Sequence, residues 1–140
     1  MTWTEPQLAY LAGIVDGEGC VNIYRGGKRP RMDYAGRIYV VSTDRCLIDW
    51  LQGLFGGMTY TRRVREGYKP KHEWVVERRM TDAIISGILP YVVIKRDQLE
   101  LLQRFNATFA KKDYWKLPPE TRAYREWCFL ELRRLNHRCG

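Results

Sequence analysis

The chain has 140 residues, enough for one domain with a sizeable apolar core. Hydrophobic residues make up 45% of it, five tryptophans among them, which excludes a disordered tail. The net charge of +8 favours a polyanionic partner such as nucleic acid. No apolar run reaches the length of a membrane span, and the N-terminus lacks the pattern of a secretory signal. The four cysteines, Cys20, Cys46, Cys128 and Cys139, form no CxxC pair and no zinc-ligand spacing. They read as reduced, mostly buried thiols of an intracellular protein, in cytoplasm, nucleus or an organelle matrix.

The first predicted helix begins with Thr4 as its cap, Pro6 in the first turn and Gln7 three residues after the cap, the spacing of a capping box. Leu8, Leu11, Ala12 and Val15 recur at helical spacing. A second series, Ala9, Gly13 and Gly17, falls on every fourth residue. Each helical glycine costs about 1 kcal/mol relative to alanine, so such a stripe asks for compensation. Close approach of another backbone supplies it; the plainer reading is a helix that simply ends near Gly17. From Cys20 to Tyr24 the pattern alternates, and a second β-rich run covers Arg37 to Ser42. The basic stretch Gly26 to Arg31 between them reads as a loop.

Asp44 reads as the cap of a second helix, with Leu47, Ile48, Leu51, Leu54 and Phe55 on one face and Gly56-Gly57 at its end. A second hairpin is predicted from Met58 to Arg65 and Lys71 to Arg78, turning through Gly67 to Pro70. A short helix covers Thr81 to Ile88, Pro90 interrupts the chain, and a longer helix runs from about Lys95 to Ala110. Pro118-Pro119 open the last helix, with Tyr124, Trp127, Leu130 and Leu135 as its buried positions. The order predicts an α+β fold with a four-stranded antiparallel sheet and helices on one face. The boundaries are a first helix over 5–19, hairpins over about 20–43 and 58–79, and C-terminal helices over about 81–136, all in one domain of residues 1–140.

The basic residues concentrate in the hairpins. Arg25, Lys28, Arg29, Arg31, Arg37, Arg62, Arg63, Arg65, Lys69, Lys71, Arg78 and Arg79 lie in or between the strands, with Tyr24, Tyr34, Tyr39, Tyr60, Tyr68 and Trp74 interleaved. A free sheet face of that composition suits phosphate contacts and groove readout, although an ordinary solvated face also accepts lysine and arginine.

The run Leu11-Ala12-Gly13-Ile14-Val15-Asp16-Gly17-Glu18-Gly19 closely resembles the LAGLIDADG motif. Five of its nine residues, Leu11, Ala12, Gly13, Asp16 and Gly19, are identical to it. The resemblance extends to Val41-Ser42-Thr43-Asp44 leading into a helix that ends Leu54-Phe55-Gly56-Gly57. It extends also to the proline-initiated segment Leu89 to Lys95, and to the family's αββαββα element order. It implies a homing endonuclease of the single-motif, homodimeric type: an endodeoxyribonuclease that hydrolyses double-stranded DNA at a long, near-palindromic site across the minor groove, leaving short 3′ overhangs. Divalent metal supplies the nucleophilic water and the charge stabilisation that phosphodiester hydrolysis needs. Mg²⁺, a hard cation, takes oxygen ligands, with Mn²⁺ or Ca²⁺ as substitutes in binding. No organic cofactor and no membrane are implied.

By that resemblance Glu18 and the carbonyl of Gly17 are metal ligands. Lys95 organises water or stabilises transition-state charge; its plainer role is a solvent-facing residue at a helix start. Thr43 holds water and Arg45 supplies a nearby basic group. Ala9, Gly13, Asp16 and Gly17 form the seam between two copies of the first helix, with Asp16 supporting the seam or the helix end. DNA contacts fall to Asn22, Tyr24, Lys28, Arg29, Arg31, Arg37, Arg62, Arg63, Arg65, Lys69, Lys71 and Glu73. Other functions of the same fold are an intron RNA maturase or a regulator that binds DNA without cutting. A third possibility is a dimeric adaptor with an idle sheet, against which the basic hairpins weigh.

Overall fold

The computed structural model describes residues 2–28, 31–109 and 117–137. Helix α1 (Glu5–Glu18) starts in the expected capping box: the Gln7 N–H donates to the Thr4 hydroxyl at 3.3 Å, and the Thr4 N–H donates to the Gln7 side chain at 3.0 Å. Leu11, Ala12 and Val15 are buried. The helix runs without a linker into strand β1 (Gly19–Lys28), which pairs antiparallel with β2 (Arg31–Ser42) from Gly19↔Val40 to Lys28↔Arg31. The expected loop from Gly26 to Arg31 is therefore largely strand. Basic side chains in this stretch mask a period-two pattern, in which Tyr34 is buried and Met32 packs against the core.

Asp44 caps α2 (Arg45–Phe55), accepting the Cys46 N–H at 2.9 Å, and the helix buries Ile48, Leu51 and Phe55. Gly56 (φ +74°) and Gly57 (φ +89°) turn the chain into β3 (Met58–Arg62), which pairs with β4 (Lys71–Glu77). Both strands stop short of the expected Arg65 and Arg78. Residues 61–70 are all exposed, so no side chain there buries to extend the ladder, and Arg78 sits at φ +56°. The sheet order is β1-β2-β4-β3.

Three helices follow: α3 (Met80–Ile88), α4 (Arg96–Ala107) and α5 (Pro119–His137). One apolar core joins Val21, Ile38, Val40, Trp74 and Val76 of the sheet to residues of every helix, so the helices cover a single sheet face. α5 is rotated from the expected phase. Leu135 is buried and Tyr124 half-buried, but Trp127 and Leu130 are exposed; Arg125, Cys128 and Leu132 are inside instead. Cys128, Leu132 and Leu135 share one face, and Arg125 joins them there by donating to the hydroxyl and carbonyl oxygens of Thr108 at 2.9 and 3.0 Å and lying 3.8 Å over the Phe109 ring. With its charge so partnered, an arginine takes a place that apolar periodicity would not assign to it.

Among the described cysteines Cys128 is buried, Cys20 half-buried and Cys46 exposed, so fewer thiols are buried than expected; Cys139 lies outside the described residues. Among the described residues no helix is long and apolar enough to cross a membrane.

Two glycines of the α2 region should respond in opposite directions. A Cβ at Gly57 would meet the Val75 carbonyl oxygen at 2.5 Å at a positive φ, so Gly57→Ala should destabilise by about 1–3 kcal/mol or more. A Cβ at Gly53, inside α2, meets nothing within 4 Å, so Gly53→Ala should stabilise by about 0.5–1 kcal/mol. Urea unfolding midpoints of the two variants check both signs.

Candidate metal centre and nucleic-acid interface

Glu18 is the last residue of α1 and is exposed. Its position is set on both sides. Behind it, the Gly19 N–H closes on the carbonyls of Ile14 and Val15, and a Cβ at Gly19 would lie 2.7 Å from the Val15 Cα, so a side chain does not fit in this helix-to-strand junction. Beside it, the turn before α4 is locked to the helix. The Asp16 carboxylate accepts three backbone N–H groups, from Val93 at 2.7 Å, Ile94 at 3.2 Å and Lys95 at 3.1 Å. The Lys95 ammonium in turn donates to the carbonyls of Val15, at 2.8 Å, and Gly19. Burial pushes the Lys95 amine below the usual lysine value, while neighbouring Cys20 and Asp16 pull it back up.

The negative end of a helix dipole and an exposed carboxylate form a locally electronegative point. Glu18 and the nearby carbonyl of Gly17 are hard oxygen donors of the kind a divalent cation takes, so the donor set fits Mg²⁺, Mn²⁺ or Ca²⁺. It is a sparse set. Among the described residues no three His, Cys, Asp or Glu side chains come together as a metal cage. Further ligands have to come from water, from a phosphate or from another chain.

The stripe of Ala9, Gly13 and Gly17 faces outward, and a Cβ on either glycine would meet nothing within 4 Å. Exposed apolar residues are present on α1 and on the turn bonded to it: Tyr10, edge-on to Trp50 at 5.1 Å, and Val93 and Ile94, exposed by 82% and 61%. Asp16 spends its carboxylate within the chain, on the Val93–Lys95 turn, in keeping with the expected support of the helix end. Thr43 is exposed just beyond β2, at the sheet end where α1 enters β1. Arg45 is exposed and pairs with Asp49 at 3.6 Å.

The strand registers sort the hairpin residues by face. Cross-strand partners share a face, so Asn22, Tyr24, Lys28, Arg37, Tyr39, Tyr60, Arg62, Lys71 and Glu73 point away from the helices, and Arg31 holds the position opposite Lys28. Arg63, Arg65 and Lys69 are exposed in the loop between β3 and β4. Arg29 lies outside the described residues, and Arg31 is described only by its backbone. Three residues expected on the free face are on the other side. Trp74 and Tyr34 are buried; Arg25 and the Tyr34 hydroxyl both donate to Glu126 of α5, and Arg25 lies 4.4 Å over the Phe129 ring. Sequence composition does not reveal which parity of a strand the helices will cover.

At the centre of the free face Asn22 and Arg37 are register partners. Arg37 lies over the Tyr24 ring at 5.1 Å, and the buried atoms Asn22 Oδ1 and Arg37 Nε have no hydrogen-bond partner among the described residues. Cys20 was not singled out as part of a site. It holds the free-face position opposite Tyr39, whose phenol is pushed up to about 12, first by its hydrogen bond with Cys20 and then by burial. The available signal was parity, since Cys20 begins the alternating run after the motif. A cavity of about 1000 Å³ lies at the opposite end of β2, lined by Met32, Tyr34, Phe105 and Arg125 among others.

A four-stranded antiparallel sheet backed by helices, with an acidic residue at the end of a glycine-striped first helix, defines the class of fold. A family model described as a LAGLIDADG-like domain matches residues 5–89, and the chain belongs to that family. The fold is shared with the homing endonuclease I-CvuI in complex with its target (TM-score 0.76, 20% identity, 94% of this chain and 82% of that one). It is shared also with the archaeal intron-encoded homing endonuclease I-Vdi141I complexed with DNA (TM-score 0.78, 11% identity, 96% and 86%). Against I-GzeII in complex with its DNA target the TM-score is 0.69 at 16% identity; 90% of this chain covers 43% of that longer one. A search of curated proteins gave no match.

The lock on α1 is open to a direct measurement. Asp16→Ala leaves three N–H groups without their acceptor and should cost about 2 kcal/mol, the scale of hydrogen bonds to a charged group, in urea unfolding.

Proposed function

We propose that this protein is a metal-dependent, site-specific endonuclease that cuts double-stranded DNA as a homodimer. The observation that carries the reading is the position of Glu18: an exposed carboxylate at the negative end of α1, between an open small-residue stripe and a basic sheet face. The DNA complexes of similarly folded homing endonucleases support duplex DNA as the ligand, and the basic residues of the sheet argue for its lying against that face.

Lys28, Arg37 and Lys71 on the sheet, with Arg63, Arg65 and Lys69 on the loop, supply charge for phosphates, and Asn22, Tyr24 and the Arg62–Glu73 pair supply groups for base edges. The partnerless Asn22 Oδ1 and Arg37 Nε support a face completed by a ligand, since buried polar atoms without partners are costly. Glu18 and the Gly17 carbonyl would hold the metal ion. When bound, the ion supplies Lewis acidity and a water of lowered pKa. Lys95 uses two of its three donors on Val15 and Gly19, so it fixes the helix end and keeps one donor for a water or a phosphate oxygen. Thr43, at the same sheet end, would hold water, and Arg45 would add positive charge.

One chain offers one acidic ligand, and a double-strand cut has two scissile phosphates. Packing of two α1 stripes across a two-fold axis brings two Glu18 residues together over the minor groove, and the symmetry makes the target near-palindromic. Short 3′ overhangs follow from the family resemblance.

Glu18→Gln should abolish cleavage in Mg²⁺ while leaving sequence-selective binding within about twofold; retained nicking by this variant would remove Glu18 from the metal site. Gly13→Leu should convert the dimer to monomer in sedimentation, because a side chain there occupies the space the partner helix needs. An unchanged dimer would place the interface elsewhere.

A further inference from the structure

The free face of the sheet carries an acid among its basic residues. Glu73 on β4 is the register partner of Tyr60 on β3 and of Val41 on β2, so it sits inside the face and not on its rim. Its side chain is only 13% exposed. It accepts a hydrogen bond from Arg62 Nη2 at 3.3 Å, diagonally across the β3–β4 ladder, and the Arg62 side chain is 69% exposed. An ion pair with one partner so exposed contributes little to stability.

The pairing is a poor arrangement for holding a phosphate. A phosphate contact needs positive charge, which the Glu73 carboxylate partly cancels and whose approach it opposes. Reading a base edge needs a guanidinium kept in one orientation. Arginine presents five N–H donors in a rigid fork, and the bond to Glu73 engages one of them. We propose that Glu73 presets Arg62 to read the O6/N7 edge of a guanine in the major groove, so that the pair specifies one G·C base pair in each half-site. This rests on the reading of the free face as the DNA-binding face. Arg62 touches the base; Glu73, recessed and already bonded, is a positioning residue that acts through it.

The test is a binding selection from randomised duplex DNA in Ca²⁺, followed by affinities for the selected site and for the same site with one symmetric G·C pair replaced. The wild type should discriminate against that replacement by about tenfold or more. Arg62→Ala should bring the ratio close to one at that pair of positions and leave the others as they were. Arg62→Lys should keep affinity for unrelated duplex while losing much of the guanine preference. Glu73→Gln should lower the preference and raise affinity for unrelated duplex. If Arg62→Ala weakens binding equally for all sequences and lowers the salt slope by about two, one for each protomer, Arg62 is a phosphate contact and the proposal fails. It fails also if Glu73→Gln leaves the guanine preference intact. A wild-type protein that enriches no sequence removes the DNA reading of the face and this proposal with it.

Discussion

The reciprocal hold between the end of α1 and the turn before α4 is the interaction on which the candidate site depends. Asp16 takes the N–H groups of Val93, Ile94 and Lys95, and Lys95 returns its ammonium to the carbonyls of Val15 and Gly19. Two orphan problems are solved together: a helix C-terminus has carbonyls without intrahelical partners, and a turn entering a helix has N–H groups without acceptors. Glu18 lies between the groups so held. Its backbone position is fixed by contacts more than seventy residues apart in the chain, whereas its side chain stays in solvent.

The same lock shapes the outer surface of α1. By tying down Val93 and Ile94 it holds two exposed apolar residues against Asp16 of the same helix that carries the Ala9, Gly13 and Gly17 stripe. Helical glycines with open space above them weaken a helix by about 1 kcal/mol each, and nothing among the described residues packs on Gly13 or Gly17 to return that cost. On the proposed reading the partner helix returns it, and the sparse donor set of one Glu18 is completed in the same step. Dimer formation and assembly of the metal site then become one event.

Much of this was legible in the chain because its signals are local. The capping box at Thr4 and Gln7, the cap at Asp44, the Gly56-Gly57 stop and the nine-residue motif each lie within a few neighbouring residues, and each appears in the structure where the residue types place it. The first hairpin was legible in kind but not in extent. Lys28 and Arg31 disguised the inward alternation of Met32 and Tyr34. The phase of α5 was illegible because a buried arginine breaks the equation of apolar with inside. Trp127 and Leu130, apolar and helically spaced, therefore pointed to the wrong face.

By itself the amino-acid sequence determined the element order, the acid at the end of the first helix, the small-residue stripe and the concentration of basic residues in the hairpins. Hydrogen bonds and periodicities of a few residues carry that information. Only the tertiary structure decided parity where basic and aromatic residues mask the alternation. Arg25, Tyr34 and Trp74 went beneath the helices, while Arg62 and Glu73 met on the open face. Only it gave Asp16 and Lys95 their partners. Where the alternation is masked, parity depends on which sheet face the distant helices bury, and the partners of Asp16 lie more than seventy residues along the chain, so no local pattern encodes either.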